Sequence, residues 1–389
     1  MYRIQTIGEI SGAYRGILSE SEYEVGAGVR DPHAIILRSA DLHGANLPET
    51  LLAVGRAGVG VNNIPVQALG ERGVAVFNSP GANANAVKEL AVAALILASR
   101  DILGGIEWCK TLRGAGGGIA AEVERGKGRF AGPEILGKTL GVIGLGGVGG
   151  AVANAGHALQ MRVVGVDPYI SVKSAWLLSR AIEQMGSREE LLAASDYVSV
   201  HATLTEETRG MINREALRRM KPGAALINLS RGELVEEAAV IDALRSGRLR
   251  RYVTDFPSEA LIGEPGVIAI PHLGASTPES EDNCVAMIAR QLDGYLKRGA
   301  VANSVNYPDC EPERGDRHLV TVMHANVPNV VSSVAGLVAG GGINIDSMQN
   351  MSKGAFAYTA LNLDDAPREG LIVELSLLPT VYRVRVITR

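Results

Sequence analysis

Short apolar stretches recur along the chain. Each stops at glycine or at a polar residue, and helix-spaced segments lie between them. Ala34 to Leu37, Leu51 to Val54 and Val74 to Phe77 are the first three, ending at Arg38-Ser39, at the loop Gly55 to Asn63 and at Asn78 to Gly81. Apolar runs of this length between turn residues predict buried strands of a parallel sheet. Lys88 to Arg100, rich in Ala and Leu, predicts a long helix crossing between two lobes. The rhythm resumes with strands over Thr139 to Ile143, Met161 to Val166, Tyr197 to Val200, Ala224 to Leu229, Tyr252 to Thr254 and Val267 to Ile270. A helix ends at Leu191-Leu192, and others cover Val235 to Leu244 and Glu281 to Lys297, the second crossing. The loops after such strands line one edge of the sheet, where open α/β sheets bind ligands.

The pattern changes near the end. Residues 309–317 (DCEPERGDR) are charged and read as a linker. Strands then follow over His318 to Met323, Ile343 to Met348, Ala355 to Leu361 and Val381 to Ile387, with helices over Pro328 to Gly340 and Arg368 to Leu377. That order, βαββαβ, is ferredoxin-like. The predicted architecture is α/β, with two Rossmann-like doubly wound lobes and a small C-terminal domain. Residues 1–95 and 281–308 form a discontinuous first lobe, 96–280 the second, and 318–389 the small domain. Gly114 to Gly118 and Glu122 to Arg129 read as a flexible, charged surface segment.

Composition narrows the function classes. With 389 residues, 46% hydrophobic and 21% charged, the chain reads as a soluble protein of two or three domains. A net charge of −4 without a basic block argues against nucleic acid and anionic membrane as partners. No leader pattern and no apolar run of membrane-spanning length stand out. Cys109, Cys284 and Cys310 are odd in number and far apart, which points to a reducing compartment, by default the cytoplasm, and to no metal site.

The strand at Thr139 leads into Gly144-Leu145-Gly146-Gly147-Val148-Gly149, and Val152, Ala155, Ala158 and Leu159 follow at helical spacing. The second strand stops at Asp167. Strand, G-x-G-x-x-G turn, helix, strand and acid is the order of a dinucleotide-binding βαβ unit. Gly144 permits the tight turn, Gly146 lets the backbone approach a pyrophosphate, and Gly149 lets helix and strand pack closely. Asp167 would accept hydrogen bonds from the adenosine ribose and repel a 2′-phosphate, which favours NAD. Behind this unit, Arg231, Glu259 and His272 follow strand ends in turn. Hydride transfer on a 2-hydroxy acid needs a cation for the carboxylate, an acid/base titrating near neutrality, and a carboxylate to orient it. Arg, His and Glu supply these. Glu264 competes with Glu259 for the last role, and Arg38 competes with Arg56 as a phosphate-binding cation.

Taken in order, Gly144 to Gly149 with Asp167, His201 to Thr208 (HATLTEET), Asn228 to Val235 (NLSRGELV), Thr254 to Glu259 (TDFPSE) and Pro271 to Thr277 (PHLGAST) resemble the D-isomer-specific 2-hydroxyacid dehydrogenases. Arg56 to Asn63 (RAGVGVNN) and Asn78 to Asn85 (NSPGANAN) resemble the substrate-lobe loops of the phosphoglycerate-oxidising members. His324 to Pro328 (HANVP) and Gly342 to Asp346 (GINID) resemble the ACT regulatory domain of those members. The resemblance implies that Arg231 clamps the substrate carboxylate, His272 is the acid/base and Glu259 its partner. It gives substrate contacts to Arg56, Gly58, Val59 and Gly60, with Arg56 on the phosphate. Cofactor contacts would fall to Ser79, Gly147, Val148, Ala202, Leu229, Ser230, Arg231, Asp255, His272, Gly274 and Ala275, beside the glycine turn and Asp167. Two departures stand out: Gly147 where relatives often have Arg, and Ala202-Thr203 where they commonly have Pro.

The implied reaction is NAD-dependent oxidation of 3-phospho-D-glycerate to 3-phosphohydroxypyruvate, the first step of L-serine biosynthesis. Glyoxylate or hydroxypyruvate reduction, and a non-catalytic NAD-sensing regulator, are the alternatives. The small domain is expected to expose one sheet edge and one sheet face and to pair with a second copy, giving a homodimer or homotetramer. His324, Asn326 and Asn344 are expected together at one end of its sheet, binding L-serine as effector across the domain interface.

Overall fold

Residues 1–114, 116–313 and 318–387 are described by a computed structural model. The chain begins with β1 (Tyr2–Ile7), β2 (Tyr23–Gly26), β3 (Ala34–Leu37), β4 (Ala53–Arg56), α1 (Val66–Glu71) and β5 (Ala75–Phe77). These strands make a parallel sheet in the order β2-β1-β3-β4-β5. β3 and β5 are buried throughout, as their apolar runs predict. β1 (YRIQTI) escapes the sequence pattern because only Ile4 in it is fully buried, and pairing with β2 and β3 makes it a strand.

The second unit, Asn83–Thr277, opens with α2 (Ala84–Ser99), α3 (Ile102–Thr111) and α4 (Ile119–Gly126). There follow β6 (Thr139–Ile143), α5 (Gly147–Ala158), β7 (Arg162–Val166), α6 (Val172–Ala175), β8 (Glu183–Gln184), α7 (Arg188–Ala194), β9 (Tyr197–Val200), α8 (Arg214–Arg219), β10 (Ala224–Asn228), α9 (Glu237–Arg245), β11 (Leu249–Thr254) and β12 (Val267–Ala269). The seven strands pair in the order β12-β11-β10-β9-β6-β7-β8, all parallel. Direction along the sheet reverses at β6, which makes a topological switch point between β6 and β9. The segment expected to be flexible is helical over α4, where Arg125 and Glu122 pair one turn apart at 2.8 Å; Ala115 lies outside the described residues. The unit begins at Asn83 rather than near residue 96 because α2 packs on α5 and β11.

The first unit, Met1–Ala82, resumes at Pro278 and runs to the end of the chain. It adds α10 (Pro278–Arg298), β13 (His318–Ala325), α11 (Val330–Gly340), β14 (Ile345–Lys353), β15 (Phe356–Leu363), α12 (Glu369–Ser376) and β16 (Val381–Ile387). Strands β14-β15-β13-β16 form an antiparallel sheet. Val330, Val334 and Val338 of α11 and Leu371 and Leu375 of α12 bury one face of it.

The expectation of an exposed second face is corrected. Leu319, Met323, Phe356, Tyr358 and Ile387 on that face share one core with Tyr295, Leu296 and Tyr307 and with the first sheet's Ala75 and Phe77. Full burial of an apolar side chain such as Leu319, Met323 or Phe356 contributes about 1.5–3 kcal/mol. The polar ends are satisfied too: Tyr358 donates to Gly299 O at 2.7 Å and Tyr307 to Gly70 O at 2.7 Å. The start of the expected linker is also ordered by pairing, since Cys310 and Val301 exchange backbone hydrogen bonds at 2.9 and 2.8 Å. Residues 314–317 lie outside the described residues. Among the described residues no helix is long and apolar enough to cross a membrane.

Candidate active site

The glycine turn joins β6 to α5. Gly144 has φ +86°, the left-handed region, and its N–H donates to Val166 O at 2.9 Å. At Gly149 a Cβ would fall 1.8 Å from Gly144 O, so only glycine fits. Gly146 differs: a Cβ there would meet nothing within 4 Å. The fold does not require that glycine, and the space it leaves opens at the N-terminus of α5, where free N–H groups favour an anion. Asp167, at the end of β7, accepts from Leu145 N at 2.8 Å and from Tyr169 N at 2.9 Å, which locks its carboxylate against the turn. These features suit the pyrophosphate and ribose of a dinucleotide.

Strand order sets the rest of this edge. His272 follows β12, Asp255 β11, Arg231 β10, His201 β9, Gly144 β6 and Asp167 β7. With neighbouring strands about 4.8 Å apart, β7 and β10 are about 14 Å apart across the sheet. A dinucleotide laid over the switch point from Asp167 would run toward Arg231. Ser230 Oγ donates to Val200 O at 2.8 Å, and fully buried Asn228 donates to Arg231 O at 2.8 Å and accepts from Ser230 N at 3.2 Å. Those bonds fix the turn, and Arg231 Nη1 lies 2.7 Å from Ser230 O. The Phe256 ring packs at a tilt against the His272 ring, centroids 4.7 Å apart, and has the Arg231 guanidinium 5.9 Å from its centroid. One aromatic ring thus contacts both side chains.

Two carboxylates follow β11, Asp255 and Glu259. Asp255 is buried; one oxygen accepts from Gly274 N at 3.3 Å and the other has no partner among the described residues. Burial raises its pKa, and the nearby His272 and Arg231 charges oppose that shift. Glu259 is exposed and makes no hydrogen bond or ion pair among the described residues. Its competitor Glu264 is engaged by Arg245 through two bonds, at 2.9 and 2.8 Å. Leu229 is buried, and Ala202 and Ala275 are half-buried. His201 Nε2 meets Ser199 Oγ at 2.8 Å; its Nδ1 is buried, and burial lowers its pKa to about 4.

On the first unit Arg56 ends β4, and its Nε donates to Arg38 O at 3.1 Å. Its guanidinium lies over Gly58, where a Cβ would stand 2.1 Å from Nη1. Val59 is 40% exposed, so the Gly58-Val59-Gly60 loop is open to a ligand. The rival cation Arg38 is paired with Glu281.

Residues 93–274 match the D-isomer specific 2-hydroxyacid dehydrogenase, NAD binding domain. A Schizosaccharomyces pombe protein provisionally named D-3-phosphoglycerate dehydrogenase is 30% identical over 404 residues, covering 95% of this chain and 82% of that one. The chain belongs to the D-isomer-specific 2-hydroxyacid dehydrogenase family.

A further member, the D-3-phosphoglycerate dehydrogenase of Methanocaldococcus jannaschii, is 33% identical over 80% of this chain, which spans 58% of that protein's length. The crystal structure of NAD+-bound 3-phosphoglycerate dehydrogenase from Entamoeba histolytica is 26% identical, with TM-score 0.62, over 78% of this chain and 98% of that one. As a member of this 2-hydroxyacid dehydrogenase family, the chain carries supports that motif reading missed. Phe256 and Asn228 lie inside quoted motifs, but only their contacts give them a role.

The C-terminal positions need a correction. β13 and β14 both run antiparallel to β15, so they are parallel to each other. Asn344, before β14, is therefore at the opposite end of the sheet from His324 and Asn326. His324 is buried, with Nδ1 2.8 Å from Ala325 O and Nε2 2.8 Å from Thr359 Oγ1. Asn326 donates to Gly354 O at 3.0 Å, and Asn344 N donates to Asp364 Oδ1 at 3.0 Å.

Proposed function

We propose that this protein is an NAD-dependent dehydrogenase that oxidises 3-phospho-D-glycerate to 3-phosphohydroxypyruvate, the first step of serine biosynthesis. The observation that carries the reading is the pair Arg231 and His272, held against one ring at the ends of β10 and β12, on either side of β11. Arg231 grips the substrate carboxylate as a bidentate donor and polarises the carbon it is bonded to. His272 takes the proton of the 2-hydroxyl as the C2 hydrogen departs with its electron pair. NAD, held by Gly144 to Gly149 and Asp167, supplies the hydride acceptor when bound. Glu259 swings toward His272 in the substrate complex, since catalytic hydrogen bonds often close only there. Arg56 holds the substrate phosphate.

An absorbance assay of NADH with a panel of 2-hydroxy acids tests this. Activity on 3-phosphoglycerate is expected, and Arg56→Ala should raise KM for it at least about tenfold, the scale of a charged hydrogen-bonded contact. KM for an unphosphorylated substrate should change far less. Equal activity on glyoxylate and hydroxypyruvate, unaffected by Arg56→Ala, would make the protein a reductase of the same family.

The C-terminal sheet is read as an ACT-type regulatory domain that pairs through its exposed edge β14 with a second copy. Two-fold pairing of β14 strands sets the Asn344 end of one copy beside the Asn326 end of the other. That supports an L-serine site shared by two copies, which a single chain cannot form.

A further inference from the structure

The edge strand β5 leads directly into the loop Asn78 to Gly81, and the residues 301–310 that follow α10 lie against it. Val305 N donates to Val76 O at 2.7 Å, Ser304 Oγ to the same oxygen at 3.1 Å, and Asn306 Oδ1 accepts from Val76 N at 3.0 Å. Ser304 also bridges Phe77 in antiparallel sense. This strap covers an edge that would otherwise present unpaired N–H and C=O groups. From the other side, Lys353 at the end of β14 donates to Ser304 O at 2.7 Å.

Beyond Phe77 hydrogen bonds anchor the loop. Asn78 Nδ2 donates to Val59 O at 2.7 Å and Ser79 N to Gly58 O at 3.0 Å, which ties it to the loop under Arg56. Gln291 donates to Asn78 O at 3.1 Å. Ser79 is fully buried, and its Oγ has no partner among the described residues. A cleft of about 580 Å³, lined by Asn78, Pro80, Ser304, Met351 and Lys353, separates the loop from the β14–β15 hairpin. Apolar packing is therefore missing on the side where Lys353 reaches the strap.

We propose that Lys353 is a positioning residue for the substrate loops of its own chain, acting through Ser304 and β5 on Asn78 and Ser79. The C-terminal sheet then does more than carry a regulatory function. It shares a core with the substrate-binding unit and latches the strap that aligns the loop beside Arg56. Lys353 touches neither substrate nor cofactor in this scheme. The kinetic part rests on the dehydrogenase reading above; the structural part does not.

The test compares Lys353→Met, Lys353→Arg and the wild type as full chains. Hydrogen exchange of the ligand-free proteins should show peptides covering Val76 to Gly81 exchanging at least about threefold faster in Lys353→Met, with β1 and β3 unchanged. Lys353→Arg, which can still reach a carbonyl, should restore the wild-type rate. In steady-state assays with 3-phosphoglycerate, Lys353→Met should raise KM for that substrate about three- to tenfold while kcat changes less than about twofold. Unchanged exchange at Val76 to Gly81 overturns the proposal, and so does a loss that falls on kcat as much as on the KM for 3-phosphoglycerate. A wild type inactive on every 2-hydroxy acid would overturn the functional reading instead, leaving the exchange experiment to decide on Lys353.

Discussion

Glu259 and Asp255 belong to one motif but sit in different surroundings. Asp255 is buried and bonded to the backbone of the loop carrying His272, whereas Glu259 is solvent-facing and unengaged. Glu259→Gln should lower kcat on the order of tenfold, a part of what a positioned acid/base contributes, and leave the affinity for NAD intact. Asp255→Asn should lower both, because the loop that it ties runs through Gly274. Titration calorimetry with NAD beside kcat separates them, and equal NAD affinities in both variants would refute that expectation. His201 gives a pH effect of definite sign. Its imidazole takes up a proton near pH 6.5 when unfolded and only near about 4 when folded, because its surroundings desolvate the charge. Proton uptake by the unfolded chain therefore removes stability as pH falls from 6.5 toward 4, and above 6.5 the neutral ring costs nothing. His201→Gln should show a flatter Tm over that window than the wild type. Parallel curves would mean that the imidazole is accessible to water.

The glycines of the β6–α5 turn look alike in the motif and differ in the element. Gly149→Ala places a methyl 1.8 Å from Gly144 O, a backbone atom that cannot step aside without moving the turn. A loss of at least about 2 kcal/mol in urea unfolding is expected, as for an overpacked core. Gly146→Ala meets no protein atom and should unfold like the wild type. It should nevertheless weaken NAD binding at least about tenfold, since the methyl occupies the approach of the pyrophosphate. A Gly146→Ala protein that binds NAD normally would show that the open space serves no ligand.

In the whole molecule, the C-terminal sheet is packed on one face and open along one edge. One face is fixed in its own chain by the core around Tyr295, Tyr307 and Phe356, and the edge strand β14 stays exposed, with Met348 and Met351 42% and 48% accessible. A chain ending at residue 310 would bare that core, and its Tm should fall by several degrees with a tendency to aggregate. An unaltered Tm would mean that the sheet is an independent module. Under the proposed function, this edge receives a second copy. If serine binds between copies, L-serine titrated into the millimolar range should slow the enzyme. Asn344→Ala should abolish that response, and light scattering should report at least a dimer. Calorimetry without a serine signal would remove the effector from the scheme.

Local pattern alone determined a good deal of this protein. Apolar runs bounded by turn residues give nine of the twelve described strands of the two parallel sheets, since a strand buried on two faces has no polar positions to blur it; β2 and β8, largely exposed or half-buried, carry no such run. The glycine turn was legible because its backbone conformation restricts the residue type, and Asp167, Arg231 and His272 stand out in the sequence as charged or titratable residues at strand ends. β1 was missed because its side chains are only partly buried, and the helix at α4 because glycines beside it read as a flexible segment. Contacts between residues far apart in sequence carry no local mark. Only the tertiary structure showed that Phe256 contacts both Arg231 and His272, that Arg245 engages Glu264 and Glu281 engages Arg38, and that parallel β13 and β14 hold Asn344 away from His324. It also joined the C-terminal sheet to the first lobe, because the same alternating strand pattern serves a solvent-facing and a lobe-facing side equally well, and the partner surface decides which it is.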